Sequence, residues 1–228
     1  MTHKSFSDSD KIFHSDGHRV GQIAADQGLS PADISNGVKT LQESMDDLNE
    51  AILRNAATQG VQVACSKGCD WCCYQPVFAN NFEMLRLIRH IRKKFSSTQI
   101  SMILKKAATK NLSVSNLSES KMLRHKAACP LLENRVCTVY DARPMACRIY
   151  LSTSLESCRH FFNHPSDKHK YPMLLEFPLR AGRMLNEGFT AAMRQNGQPS
   201  REYRLEEGLL LFLQEPDLDS ESLSDFNI

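Results

Sequence analysis

The sequence predicts a mainly α-helical protein, with a helical domain organised around eight cysteines and with short irregular or extended segments. Two observations carry this prediction. Several polar stretches contain apolar residues three and four positions apart, which is the spacing of one helix face. All eight cysteines fall within residues 65–73 and 129–158, whereas cysteines that only fill a core are expected to be scattered among the helices. With 228 residues and a hydrophobic share of 41%, the chain is long enough to bury a substantial core.

The composition divides the chain into three parts. Residues 1–29 are polar and show no sustained periodicity, so we expect a flexible N-terminal segment. Residues 30–216 are expected to form a single helical domain whose cysteine-rich core spans residues 65–158. Residues 217–228 contain acidic and serine residues but no basic one, which predicts an acidic, mobile C-terminal tail.

The first strong helix signal covers residues 31–59. Ser30 is a suitable N-cap, Pro31 suits the first helical position, and Gly60 is a suitable terminator. An apolar stripe with spacings of four and three runs along this helix, and it consists of Ile34, Val38, Leu41, Met45, Leu48 and Ile52. We expect the stripe to pack within its own domain. The alternative is an intermolecular seam that forms a homodimer or binds another protein.

Residues 80–126 carry a strong excess of positive charge on predicted helices. Eleven Lys or Arg residues are opposed only by Glu83 and Glu119, so the balance is 11 − 2 = +9. Such a surface favours an acidic protein partner, and the alternatives are a solvated face or a counter-charge to an anionic metal site. No aromatic interleaving and no known nucleic-acid motif accompany the basic run, so we do not expect nucleic-acid binding. Helices are also predicted to start at Asn81, Ser96, Pro178 and Leu205.

The second cysteine block is expected to contain short elements. Glu133-Asn134-Arg135 has the composition of a turn between two brief extended pieces, and Asp141–Cys147 is expected to form one helical turn behind Pro144.

The chain shows no signal for a membrane or a secretory route. No apolar run approaches the roughly 20 residues that span a bilayer, and the first ten residues lack the apolar core of a secretory signal. We therefore expect a cytoplasmic protein without a membrane partner. In a reducing compartment stable disulfides are rare, and clustered Cys-x-x-Cys spacing indicates metal binding instead.

The first cysteine block has the spacing of a metal-binding loop. Cys69-Asp-Trp-Cys72 is a Cys-x-x-Cys pair, in which one tight turn directs two sulfurs at the same ion. Cys73 follows directly, and because adjacent side chains diverge, Cys72 and Cys73 suit two centres or a bridging arrangement better than one tetrahedral ion. The predicted metal ligands are Cys65, Cys69, Cys72, Cys73, Cys129, Cys137, Cys147 and Cys158.

Eight thiolates are compatible with several cofactors. They suit two zinc ions with four thiolates each, a thiolate-bridged pair of ions, one iron–sulfur cluster with four cysteines left over, or two clusters. Basic residues close in sequence to a cysteine are expected to offset the negative charge of such a site. These residues are Lys67, Arg135, Arg143, Arg148 and Arg159. For Arg143 a surface ion pair is the alternative.

The cysteines and their neighbours occur in a distinctive order. This order is Cys65, Cys69, Cys72 and Cys73, then Cys129-Pro-Leu-Leu, then Cys137-Thr-Val-Tyr140-Asp-Ala-Arg143-Pro144-Met-Ala-Cys147-Arg148, and last Cys158. The pattern resembles that of the CxxCxxCC family of zinc- or iron-chelating proteins, which carries eight cysteines in this order with a core of Arg-Pro and Cys-Arg. The gap between Cys65 and Cys69 is three residues, where the family name has two. The resemblance covers residues 65–158 and implies metal binding.

The function predicted from these observations is metal binding, with a mainly structural centre and helices that serve as an interaction surface. Flagellin lysine N-methylases carry a cluster similar to this one, so one alternative is an iron–sulfur enzyme for redox or methyl-transfer chemistry. Another alternative is a protein that stores or delivers zinc or iron. The sequence contains no Gly-rich nucleotide loop and no Ser-His-Asp pattern, and it indicates no catalytic residue. His160, His164 and His169 are expected to be exposed loop residues rather than ligands.

Overall fold

The computed structural model describes residues 7–214, and these residues are mainly helical, as predicted. Within this range the α-helices are α1 Asp8–Asp26, α2 Pro31–Thr58, α3 Asn81–Lys94, α4 Ser97–Val114, α5 Glu119–Met122, α6 Met145–Arg148, α7 Leu155–Asn163, α8 Glu176–Gln195 and α9 Leu205–Gln214. Two antiparallel strand pairs accompany them. They are β1 Phe78–Asn80 with β4 Glu202–Arg204, and β2 Leu132–Glu133 with β3 Val136–Cys137.

Helix α2 begins and packs as its sequence predicts. The Ser30 hydroxyl accepts the Asp33 N–H, and the Asp33 carboxylate accepts the Ser30 N–H, which completes a capping box. The first four residues of the apolar stripe are fully buried in the same core as α3 and α8; they are Ile34, Val38, Leu41 and Met45. This part of the stripe therefore packs inside the chain, as expected.

The expectation of a flexible segment over residues 1–29 is wrong for residues 8–26, which form α1. Ser7 caps this helix through a capping box with Asp10, and Arg180 of α8 donates to the Asp10 carboxylate at 2.6 Å. Val20 and Ala24 belong to the common core, so the predicted boundary between residues 29 and 30 does not separate two parts of the fold. Residues 1–6 and the predicted tail, 217–228, lie outside the described residues.

Glycines explain how α1 can pack without a strong apolar stripe. A Cβ at Gly17 would lie 2.0 Å from the Leu185 carbonyl oxygen, and a Cβ at Gly188 would lie 2.0 Å from the His14 carbonyl oxygen. The two helix backbones are therefore close enough that only glycine fits at the crossing. This contact is invisible to a search for large apolar residues at helical spacing.

Helix α3 forms the centre of the core and also anchors the second cysteine block. Its apolar residues are almost fully buried, and they include Phe82, Met84, Leu85, Leu87, Ile88 and Ile91. At its first turn, the buried carboxylate of Glu83 accepts the Met145 N–H at 2.6 Å, at the start of α6. Burial raises the pKa of Glu83, while hydrogen bonds from Met145 and Asn80 act in the opposite direction. Glu83 thus connects α3 to the segment that carries Cys147.

Part of the basic region 80–126 is used inside the fold. Lys110 is 5% exposed and pairs with the buried Glu206 at 3.8 Å. Arg86 donates to the Gln42 side chain at 2.7 Å. The residues of this region that remain exposed include Lys93, Lys94, Lys105 and Lys121. Binding of an acidic partner through them stays a prediction.

A search of the described helices for a segment both long and apolar enough to cross a bilayer finds none.

Replacement of Gly188 by Ala tests the contact between α1 and α8. An Ala inside a helix is ordinarily more stable than Gly by about 1 kcal/mol. Here we expect a loss of about 1–3 kcal/mol in the free energy of unfolding, because the new methyl group collides with the α1 backbone. Urea denaturation measures the difference, with the exposed neighbour Glu187→Ala as the control, expected within about 0.5 kcal/mol of wild type. A Gly188→Ala variant as stable as wild type would contradict the close packing.

Candidate metal centre

The first cysteine block forms a tight loop followed by a short 3₁₀ helix, Trp71–Tyr74. The Cys69 N–H donates to the Ser66 carbonyl at 3.0 Å, and the Cys73 N–H donates to the Asp70 carbonyl at 2.9 Å. Gly68 has a φ of +88°, a backbone conformation that favours glycine. These turns gather four cysteines at one end of the loop.

The second cysteine block contains the predicted hairpin. Asn134 and Arg135 form its turn with positive φ angles of 48° and 63°, and Cys137 lies opposite Leu132 in the strand pair. Downstream, a 3₁₀ turn at Tyr140–Ala142 leads to α6, which carries Cys147. The predicted extended pieces and single helical turn are therefore present, although each is short.

Direct contacts join the two blocks. The Cys129 N–H donates to the Cys73 carbonyl at 2.8 Å. Asp70 is buried and accepts the Arg135 guanidinium at 3.2 Å, which connects the first loop to the hairpin turn. Both contacts bring the second block against the first without involving any cysteine side chain.

The last cysteine, Cys158, lies on α7. This helix continues to Asn163 and includes His160, which was expected to lie in a loop. Phe162 of this helix packs edge-on against Trp71 and Tyr74, with ring centroids 5.2 and 5.0 Å away. The preceding segment is held to the first block as well, because the Ser152 N–H donates to the Cys65 sulfur at 3.3 Å. Helix α7 therefore packs directly beside the Cys69–Cys73 turn.

One cleft of about 1690 Å³ receives most of the predicted ligands. Seven of the eight cysteines line it, namely Cys65, Cys69, Cys72, Cys73, Cys129, Cys137 and Cys147. All eight are free thiols. Among residues 7–214, no three His, Cys, Asp or Glu side chains already stand in coordinating geometry. The thiols thus share a cleft without forming a finished coordination shell.

A first group of thiols consists of Cys65, Cys69, Cys72 and Cys158. Burial raises the pKa of Cys65, and the nearby Cys69, Cys72 and Cys158 raise it further. Burial also raises the pKa of Cys69, again with contributions from Cys72 and Cys158. Mutual repulsion of this kind arises only between groups a short distance apart, so these four sulfurs are neighbours.

A second group lies deeper. Burial raises the pKa of Cys129 to about 11 and that of Cys147 well above its ordinary value. The charges of Cys129 and Cys137 raise the pKa of Cys147 further. The charges of Cys129 and Cys147 likewise raise the pKa of Cys73. The inner neighbours are therefore Cys73, Cys129, Cys137 and Cys147.

Cys72 lies between the two groups. Hydrogen bonding with Cys73 lowers the pKa of Cys72, and the same interaction is the main reason why the pKa of Cys73 is raised. The charge of Cys72 raises the pKa of Cys69 in the first group and also that of Cys147 in the second group. We call these the outer and the inner group. The adjacent Cys72 and Cys73 thus face different neighbours, as their divergence along the backbone predicts.

Arg143 supplies the positive charge at this site. Its guanidinium stacks on the Tyr140 ring at 3.6 Å and reaches Asp46 of α2 at 3.4 Å. Its charge lowers the pKa of Cys72, Cys137 and Cys147, although burial has the larger effect on the last two. The Nε and Nη1 atoms are buried and have no hydrogen-bond partner among residues 7–214. Buried donors without a partner are costly, and an anion on the thiol side would satisfy them.

The other basic residues near the cysteines have different partners. Arg148 is fully buried and donates to Asp46, to Gln42 and to the carbonyl groups of Arg143 and Asp141, so its main role is to hold α6 on α2. Its charge also acts to lower the pKa of Cys137, although burial has the larger effect, so Arg148 contributes to offsetting thiolate charge as expected. Arg159 stacks on Trp71 at 5.6 Å, Arg135 pairs with Asp70, and Lys67 is exposed.

The sequence did not indicate that two acidic residues help to position the cysteine blocks. Asp46 on α2 binds Arg143 and Arg148, and Glu83 on α3 binds the start of α6. Neither is near a cysteine in the sequence, so no local pattern marks it. Of the histidines, His160 is half-buried on α7 and binds Asp167 at 2.9 Å, whereas His164 and His169 are exposed as expected.

Comparison with known proteins agrees with this geometry. Searches among curated proteins and among solved structures each found no match. A family model does match, over residues 64–170, a range that contains all eight cysteines. It supports metal binding in general and confirms the resemblance seen in the cysteine order. The matching model is that of the CxxCxxCC domain, and its description reads "Putative zinc- or iron-chelating domain".

Proposed function

We propose that this protein binds zinc or an iron–sulfur cluster through its eight cysteines, that the metal centre is mainly structural, and that the helices around it form an interaction surface. The ligands are Cys65, Cys69, Cys72, Cys73, Cys129, Cys137, Cys147 and Cys158. The observation that carries the proposal is that cysteines from two blocks far apart in sequence line one cleft and perturb one another electrostatically.

The donor set favours a soft metal. Thiolate sulfur selects zinc, copper(I) and iron–sulfur clusters over hard cations such as magnesium or calcium. Burial raises the pKa of most of these thiols, so without a cation they stay protonated and are poor metal ligands. A bound metal ion deprotonates a coordinating thiol outright and removes this conflict. The unpartnered donors of Arg143 then face negative sulfur, which gives them hydrogen-bond acceptors.

A structural role follows from how little else holds the second block. Between residues 129 and 158 the chain has two-residue strands, a three-residue 3₁₀ turn and the four-residue α6. Structural zinc contributes apparent binding free energies of about 10–16 kcal/mol in small domains. The net stability of an ordinary domain is about 5–15 kcal/mol. A metal that joins the two blocks is therefore large enough to decide whether this segment is ordered.

The size of the cleft favours one second candidate, an iron–sulfur enzyme. The cleft of about 1690 Å³ continues past the thiols along α8 to Asn186 and Thr190, and it is larger than metal ions alone require. Small-molecule sites in proteins typically measure about 300–1,000 Å³. In that case the cluster supplies redox chemistry, and the polar residues along α8 contact a substrate.

Metal analysis distinguishes these candidates. We expect protein purified without oxygen to contain about one or two zinc ions per chain and to be colourless if the centre is structural zinc. A brown protein that absorbs near roughly 400 nm, with about four irons and four sulfides per cluster, would instead support the iron–sulfur enzyme. Elemental analysis and the absorption spectrum are recorded on the same sample. Protein that folds and contains neither zinc nor iron would contradict metal binding.

Replacement of Cys72 by Ser tests the structural role. We expect the variant to lose metal, solubility and thermal stability together, because Cys72 lies between the two groups of thiols. Metal content, circular dichroism and the melting temperature provide the measurement. The exposed neighbour Ser66→Ala is the control and should leave all three unchanged. Complete loss of metal with unchanged helicity and melting would contradict the scaffold role.

Replacement of Arg143 by Gln tests the interaction of its guanidinium with the metal-bound thiolates. Removal of a residue that supports metal ligands typically lowers metal affinity about 10- to 100-fold, and we expect a loss in this range. Competition between the protein and a coloured chelator measures the affinity. The exposed Arg54→Gln on α2 is the matched control, because Arg54 pairs only with Glu50 at the surface. Equal affinities of the two variants would show that Arg143 acts only through Asp46 and Tyr140.

A further inference from the structure

The surroundings of the two thiol groups differ sharply. Cys129 and Cys137 pack against the hydrophobic core, and Leu131, Val139 and Met145, each two residues from an inner cysteine, are about 2% exposed or less. The core side of the inner cysteines therefore excludes solvent, whereas their direct neighbours Ala128, Val136 and Ala146 are exposed. Such surroundings are typical of closed structural metal sites.

The outer group lies on an open loop. Ser66 and Lys67, between Cys65 and Cys69, are both exposed. A Cβ placed on Gly68 would meet no atom within 4 Å, so this side of the loop faces free space. Cys158 is also flanked by an exposed residue, Arg159. A small chelator or a partner thiol has room to approach the outer sulfurs.

The attachments of the two groups differ in the same way. The inner cysteines are connected to the core helices through Glu83, which binds the start of α6, and through Arg148, which binds α2. The outer Cys65 is held by backbone contacts with one neighbouring segment, in which the Ala64 N–H donates to the Ser152 carbonyl at 2.8 Å and the Ser152 N–H donates to the Cys65 sulfur. The backbone contacts that hold Cys65 thus go to a neighbouring irregular segment, whereas the contacts that hold the segment of Cys147 go to two long core helices.

From these observations we propose that the cleft holds two metal positions of unequal exchange. Cys73, Cys129, Cys137 and Cys147 form a closed inner position, Cys65, Cys69 and Cys158 form an open outer position, and Cys72 lies between them as a shared ligand. The proposal rests on metal binding by the eight cysteines. It adds that the inner ion holds the fold and that the outer ion is released to an acceptor.

Release of the outer ion needs no redox partner. A zinc ion leaves with its +2 charge and forms new bonds to the ligands of the acceptor. Its bonds to the sulfurs of Cys65, Cys69, Cys158 and the shared Cys72 break, while Cys72 keeps its bond to the inner ion. The freed sulfurs then take up protons from water. The oxidation states of metal and sulfur do not change.

Timed alkylation of the intact zinc-loaded protein tests the proposal directly. The protein is loaded with Zn²⁺, treated with N-ethylmaleimide, and analysed at intervals for released zinc and, by peptide mass spectrometry, for modified cysteines. We expect one zinc ion to leave in a fast phase as Cys65, Cys69 and Cys158 react. The second ion leaves in a phase at least about tenfold slower, together with reaction of Cys129, Cys137 and Cys147.

Two variants provide matched controls within the same site. Cys69→Ser should abolish the fast phase and keep the slow one, and Cys137→Ser should destabilise the fold and shorten the slow phase. The wild-type alkylation pattern decides the question even if Cys137→Ser does not fold. Two zinc ions released in a single phase, reaction of inner cysteines before outer ones, or a single cluster lost as one unit would each overturn the proposal while metal binding stands. Protein that takes up no zinc or iron would instead refute the proposed function itself.

Discussion

The accumulation of seven thiols around one cleft, with Cys158 on the adjoining α7, is the constraint on which the rest of the structure depends. Burial raises the pKa of most of these groups, and their proximity opposes simultaneous ionisation. An apolar core gives no reason to collect them, because thiols of this kind repel one another once they are charged. A positive centre removes that repulsion. Arg143 already contributes one positive charge, and its two buried donors without a partner face a site that becomes anionic when metal binds.

The core helices contribute to the centre through buried polar contacts. Glu83 on α3 accepts the first N–H of α6, and Arg148 at the end of α6 binds Asp46 on α2. The four-residue helix that carries Cys147 is thus attached at both ends to long, well-packed helices. A short irregular segment gains a defined position in this way. Removal of Asp46 would take the ion-pair partner from the buried Arg148, and removal of Glu83 would leave the Met145 N–H without its acceptor, and both changes are destabilising.

The division into an inner and an outer group connects structural metal binding with metal handling. A closed site contributes folding free energy because its ion does not leave, whereas an open site is suited to exchange. The proposal places both environments side by side, with Cys72 between them. The two functions therefore need not compete for one set of ligands. The proposed inner ion maintains the geometry from which the outer ion is exchanged.

Local sequence determined much of this protein. The capping residues Ser30 and Ser96, the turn at Asn134 and the cysteine spacing each involve residues a few positions apart, so the sequence alone predicts them. Only the tertiary structure decided which thiols are neighbours, that Arg148 binds α2, and that α1 packs on α8 through Gly17 and Gly188. These features depend on residues far apart in the chain, such as Cys73 and Cys129 or Asp46 and Arg148, or on the absence of a side chain where two backbones meet. Neither leaves a periodic pattern in the sequence, because only the folded chain brings the partners together.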